Sequence, residues 1–119
     1  MKKYKLELDV QEPFLSFIKS GEKKVEGRLA KEKYLNLKNG DLIKINDVEI
    51  KIKNVVKYQS FEKMLVFEGV KNVIPNAKNL REAVSIYYKF YSKEDEKEFG
   101  VVGISIKVFK KNDKHRKTQ

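Results

Sequence analysis

At 119 residues the chain has the length of a single domain, able to bury roughly 65% of its unfolded surface in one core without covalent staples. Its apolar content is 40% and it has no cysteine, which excludes a disulfide framework and a thiolate metal site. No apolar run approaches the ~18–20 residues of a membrane span, and a formal charge of +10 points to polyanionic partners, nucleic acid before anionic membrane.

In chain order, "KYKLELDV" alternates Tyr4, Leu6, Leu8 and Val10 with Lys3, Lys5, Glu7 and Asp9, the period of a half-buried strand. In "QEPFLSFIKSG", Pro13 suits a first helical turn, Phe14, Phe17 and Ile18 share one helical face, and Gly21 is placed to end the helix. From Lys24 to Leu29 the pattern predicts a strand with Val25, Gly27 and Leu29 on one face and Lys24, Glu26 and Arg28 on the other. Residues 30–39 look irregular and end in an "NGD" turn signal. "DLIKIN" and "VEIKIKNVVKY" read as two strands joined tightly at Asn46-Asp47.

Ser60 is a helix cap for "FEKMLVFEG", with Phe61, Met64 and Leu65 as its buried stripe, and "VKNVIPN" breaks that helix. Asn79 caps a second helix, "LREAVSIYYKFYS", in which Leu80, Ala83, Val84, Tyr87, Tyr88 and Tyr91 keep helical spacing. "KEDEKEFG" reads as a polar segment turning at Gly100. The last strand, "VVGISIKVF", places Val102, Ile104, Ile106 and Val108 on one side. Residues 110–119, "KKNDKHRKTQ", have no apolar pattern and read as a basic mobile tail after a domain spanning residues 1–109.

The expected class is therefore α+β: a small mixed or antiparallel sheet, curled toward a barrel and covered by helices. Leu6, Leu8, Ile50, Ile52, Ile104 and Ile106 are its expected core, with Leu80, Val84 and Tyr87 packing a helix against it.

Chemistry is constrained by what is missing. The single histidine, His115, sits in the basic tail, so neither a histidine metal triad nor a Ser-His-Asp arrangement is available, and no metal or cofactor is expected. There is no phosphate-cradling glycine loop and no zinc-deaminase signature. What remains is "SGEKKVEGRL", residues 20–29. Gly21 turns the chain so that Lys23 can stand at the mouth of a cleft, and the strand gives Glu26 and Arg28 a common direction. Lys23 near a carboxylate can bind phosphate, or serve as a base where burial lowers its pKa. Arg28 is one of three arginines among 27 basic residues, the others being Arg81 and Arg116, so its planar fork stands out. A competing reading is a solvated, salt-bridged strand in a lysine-rich chain whose charge serves solubility.

The pattern Ile-x-x-Gly-x-Lys-x-x-Glu-x-Arg in "FIKSGEKKVEGR" resembles the signature of the ASCH domain, the activating-signal-cointegrator homology family. "VVKYQSFEKML" resembles the family's strand, Ser-Phe and acidic helix; "LREAVSIYYKFYSKEDEKEFGVVGISI" resembles its tyrosine-rich helix, acidic turn and glycine-led last strand. The resemblance extends to Phe109. It implies a PUA-like barrel of about five to six strands with a cleft lined by Lys23, Glu26 and Arg28, and a role in binding RNA or a modified nucleobase. It also implies an alternative: some small bacterial members are amidohydrolases of acetylated cytidine, and others are linked to ribonuclease activity. In the amidohydrolase branch the counterpart of Lys23 is catalytic, a Thr occupies the Glu26 position, and a further Glu precedes the second helical segment. This chain has Glu26 there, and "IPNAKNL" supplies no acid between Gly69 and Arg81.

The expected function is thus an RNA- or nucleotide-binding module in the cytoplasm, with no membrane partner. Small hydrolase and protein-interaction adaptor are the other classes. Tyr88 or Tyr91, with Tyr58 as a second choice, is expected to stack a base, an interaction worth about 1–3 kcal/mol. In a hydrolase, Lys23 and Glu26 would share the acid–base work.

Overall fold

The computed structural model describes residues 3–109. Five strands, β1 (Leu6–Leu8), β2 (Val25–Leu29), β3 (Leu42–Ile45), β4 (Val48–Tyr58) and β5 (Val101–Val108), form one sheet in the order β1-β3-β4-β5-β2. β1 runs parallel to β3 and every other pairing is antiparallel, so the sheet is mixed. It curls into a half-barrel with β1 and β2 as its two edges. The α+β expectation holds in that form.

The curl has a local cause. β4 is eleven residues long, and its pairing with β5 shifts register between Ile52 and Asn54. Such a bulge bends a strand and increases its twist. Before the shift Ile50 and Ile52 are buried on the inner face. Beyond it Val55 stays on that face, while Tyr58 joins the cluster on the other. The β3–β4 hairpin turns at Asn46-Asp47, with Asn46 at φ 55°, a left-handed conformation that asparagine tolerates.

Each face of the sheet buries a separate cluster. The inner one gathers Leu8, Ile43, Ile45, Ile50, Ile52, Val102, Ile104 and Ile106, with Leu6 and Val108 partly buried against it. Helix α1 (Phe14–Ser20) closes it with Leu15 and Ile18; Phe14 and Phe17 are only half-buried. Gly21 ends α1 in the left-handed conformation, φ 87°. Residues 30–39, expected to be irregular, contain a one-turn helix, α2 (Glu32–Leu35), that buries Tyr34.

The outer cluster is built by α3 (Phe61–Glu68), α4 (Val70–Val73) and α5 (Leu80–Tyr87). Phe61, Met64 and Leu65 are fully buried, each contributing about 1.5–3 kcal/mol of apolar burial. Ser60 and Asn79 cap α3 and α5, accepting the N–H groups of Lys63 and Glu82. Ala83 and Tyr87 are the buried residues of α5, while Leu80 and Val84 are partly buried beside them.

The segment expected to be a polar turn is instead a helix, α6 (Lys93–Phe99). Ser92 caps it by accepting the Asp95 N–H. Its Glu96 is buried and takes the Phe61 N–H at 2.7 Å and the Tyr88 hydroxyl at 2.6 Å, anchoring α6 to the start of α3. The basic tail lies outside the described residues. No helix among those described is long and apolar enough to cross a membrane.

Candidate nucleotide-binding cleft

Strand β2 is an edge, and its register decides what that edge offers. The Ala30 N–H donates to Gly100 and the Ile106 N–H to Lys24. Main-chain groups of even-numbered β2 residues therefore face β5, and those of Val25, Gly27 and Leu29 face the free edge. The side chains alternate the other way: Val25 and Leu29 enter the outer cluster, and Glu26 and Arg28 take the opposite direction. Gly27 has no side chain for a reason. A Cβ there would lie 2.6 Å from both the Met64 methyl carbon and the Tyr87 hydroxyl.

Lys23 precedes the strand and is not at a cleft mouth, as the turn at Gly21 suggested. It is 3% exposed, and its N–H donates to Phe17 at 3.0 Å as the chain folds back on α1. The ammonium is surrounded by acceptors: Val25 O at 2.9 Å, Val73 O at 2.5 Å and Glu26 Oε1 at 3.4 Å. Three acceptors match the three donors of an ammonium. Burial nevertheless pushes the Lys23 pKa below the ordinary lysine value, with Glu26 opposing that shift.

The other oxygen of Glu26, Oε2, accepts Arg28 Nε at 2.7 Å. Burial works against the Arg28 guanidinium, but Glu26, together with Tyr91 and Tyr34, outweighs it and holds the pKa above its usual value. Arg28 Nη2 also donates to the Asp9 carbonyl at 3.2 Å, just after β1. Arg28 thus connects the two edges of the half-barrel, with the Tyr34 ring 5.9 Å from its guanidinium carbon. Lys23, Glu26 and Arg28 form one line of alternating charge carrying a net positive charge.

These three residues line a cleft of about 150 Å³ beside the free edge of β2. Phe14, Ile86, Phe90 and Tyr91 supply apolar and aromatic wall, and Asp9, Val10 and Gln11 the opposite lip. Phe90 is 51% exposed. The Tyr87 hydroxyl, above Gly27, completes the lining, and Ile74 is the contribution of the segment after α4.

Of the residues singled out in the sequence, Lys23, Glu26, Arg28 and Tyr91 come together. Tyr58 and Tyr88 do not. Tyr58 donates to Glu68, stacks on Phe67 with ring centres 6.0 Å apart, and lines a different hollow beside Lys57 and Lys97. Tyr88 is turned to Glu96. Phe14, Tyr87 and Phe90 are cleft residues that sequence reasoning assigned to packing or passed over. Among the described residues no group of acids and histidines could hold a metal ion.

A family model for the ASCH domain matches residues 8–110. The crystal structure of the hypothetical protein PH0355 is similar at a TM-score of 0.84 and 42% identity, covering 87% of this chain and 98% of that one. The solution NMR structure of protein PF0455 from Pyrococcus furiosus is similar at a TM-score of 0.75 and 40% identity, covering 88% of this chain and 97% of that one. No curated protein is significantly similar to the chain.

Proposed function

Because this chain belongs to the ASCH domain family, generally linked to RNA binding, we propose that it is an RNA- or nucleotide-binding module whose cleft takes one base at a time. The half-barrel is compatible with the PUA-like architecture in which such clefts occur. The observation that carries the reading is the convergence of Lys23, Glu26 and Arg28 on a space of about 150 Å³ walled by Phe14, Phe90 and Tyr91. A cavity of that size accepts a benzene-sized ring, which suits a single base and not a run of stacked nucleotides.

Roles follow from the geometry. Arg28 spends Nε on Glu26 and Nη2 on Asp9, which leaves Nη1 for a phosphate or a base edge. Glu26 is held by two cations and retains lone pairs to accept an exocyclic amine. Lys23, with its donors already taken, positions Glu26 and adds positive potential without gripping the ligand itself. Tyr91 and the exposed Phe90 offer ring faces for stacking.

Hydrolysis of an acylated base is the second reading, favoured by one observation: a buried lysine of lowered pKa beside a carboxylate, an arrangement that recurs at acid–base sites. The segment after α4 brings Ile74 to the cleft and no carboxylate. Glu68, the nearest acid before that segment, is bonded to Tyr58. Binding therefore takes precedence. The test is titration of single-stranded RNA and of free nucleotides into the wild type, Arg28→Ala and Tyr91→Ala, alongside an acetate-release assay on acetylated cytidine. The reading predicts binding that both substitutions weaken and no acetate release. Acetate release that the wild type shows and Lys23→Ala lacks would transfer the assignment to the hydrolase, and absence of any binding at low salt would transfer it to a protein adaptor.

A further inference from the structure

The Tyr87 ring is fixed before any ligand arrives. It stacks on Phe61 with ring centres 4.4 Å apart and planes 10° from parallel, and the residue is 6% exposed. Its hydroxyl sits directly over Gly27, where a Cβ would come within 2.6 Å of the oxygen. The Gly27 backbone is close enough to act on that oxygen as a donor. An oxygen beside a donor turns its own proton elsewhere. None of the side-chain hydrogen bonds among the described residues spends that proton, and no buried side-chain oxygen lacks a partner. The remaining direction for the O–H is the cleft that Tyr87 lines.

We infer that Tyr87 is the specificity-determining residue of the cleft, its hydroxyl donating a hydrogen bond to a ring carbonyl of a pyrimidine base. This deepens the nucleotide-binding reading and rests on it. Three features select the ligand. The space of about 150 Å³ fits one six-membered ring. The neighbouring wall is aromatic, with Phe90 and Tyr91 within reach of a planar ring. A donor held rigidly at the floor, backed by the spare donors of Arg28, asks for an acceptor on the ring edge, and a carbonyl supplies one. A buried donor left without its acceptor penalises ligands that lack it, so the hydroxyl discriminates as well as binds.

The experiment measures the affinity of wild type and Tyr87→Phe for uridine 5′-monophosphate and its 2-thio and 4-thio analogues, whose sulfur is a weak acceptor. Wild type should bind uridine monophosphate, and bind one of the two thio analogues roughly three- to tenfold more weakly. Tyr87→Phe should lose a similar factor for uridine monophosphate, and that loss should vanish with the same thio analogue. Equal wild-type affinity for all three ligands overturns the inference even if the variant does not fold. So does a variant that binds all three as wild type does, or one that weakens all three equally, as a structural lesion would. Each of those results leaves the nucleotide-binding reading standing. Failure of the wild type to bind any of the three overturns both.

Discussion

Glu26 Oε1 lies 3.4 Å from Lys23 Nζ, in a part of the molecule where the lysine is almost wholly out of water. Glu26 is also the residue that Arg28 contacts, so a single carboxylate compensates two cations. Removing it leaves Lys23 buried with two carbonyls and no counter-charge. Glu26→Ala should therefore destabilise the fold by about 3–5 kcal/mol. Arg28→Ala should cost about 1–3 kcal/mol, because Lys23 still faces the carboxylate. Urea denaturation of the two variants checks the order; equal and small losses would mean that the charges are solvated.

Gly27→Ala tests the close approach of Tyr87 to β2. The new Cβ would meet the Met64 methyl carbon, which can swing away, and the Tyr87 hydroxyl, which is held by stacking on Phe61. A loss of about 1–3 kcal/mol is expected from overpacking. Ligand affinity should fall further than in a surface alanine control, since the hydroxyl must move. A variant that is as stable as wild type and binds as tightly would show that the ring has room.

Alkaline pH should weaken the fold through its tyrosines. Tyr58 and Tyr91 are raised chiefly by burial, and Tyr88, hydrogen-bonded to Glu96, is pushed up to about 12. In this range the native state holds phenol protons that the unfolded chain releases, so stability falls as pH rises. The Tyr88 contribution is fully present below its ordinary value of 10.0 and is lost between there and about 12. Lys23 acts oppositely: with its native pKa lowered, it adds stability as pH climbs toward the ordinary lysine value of 10.5. Denaturant midpoints across this range should drop less steeply in Tyr88→Phe than in wild type. Parallel curves would remove Tyr88 from the account.

Binding of single-stranded RNA should weaken with salt, each phosphate contact adding about 0.7 to the log–log slope. Deleting residues 110–119, which carry five basic residues and one acid, should flatten the slope while leaving the urea midpoint where it was. An unchanged slope would assign the salt dependence wholly to the domain.

The sequence carried the sheet well because its signals there are local. Alternation in "VEIKIKNVVKY" and "VVGISIKVF" predicts strands, and Ile50, Ile52, Ile104 and Ile106 are the core residues it names. Ser60 and Asn79 announce their helices by capping chemistry. Helix α6 was missed because it is polar on nearly every side and buries little besides a carboxylate, yet Ser92-Lys93-Glu94-Asp95 has the spacing of a helix start. The site was legible only in part. Strand parity gives Glu26 and Arg28 a shared direction, but that Lys23 is enclosed depends on Val73, fifty residues away. The choice among tyrosines was equally non-local. Tyr87 and Tyr88 are neighbours in sequence, and only the placement of Gly27 and Glu96 puts one hydroxyl over β2 and the other against α6.

Capture of a single base in the cleft beside the free edge of β2 is the proposal on which the roles of Lys23, Glu26 and Arg28 rest. Its most direct test is an NMR titration of the isotope-labelled protein with uridine 5′-monophosphate, following backbone amide shifts. We expect saturable shifts concentrated at residues 23–28, with further changes at Phe14, Tyr87 and Tyr91 and little change around Tyr58 or Tyr88. Shifts centred on the Tyr58 hollow, or none at any nucleotide concentration, would contradict it.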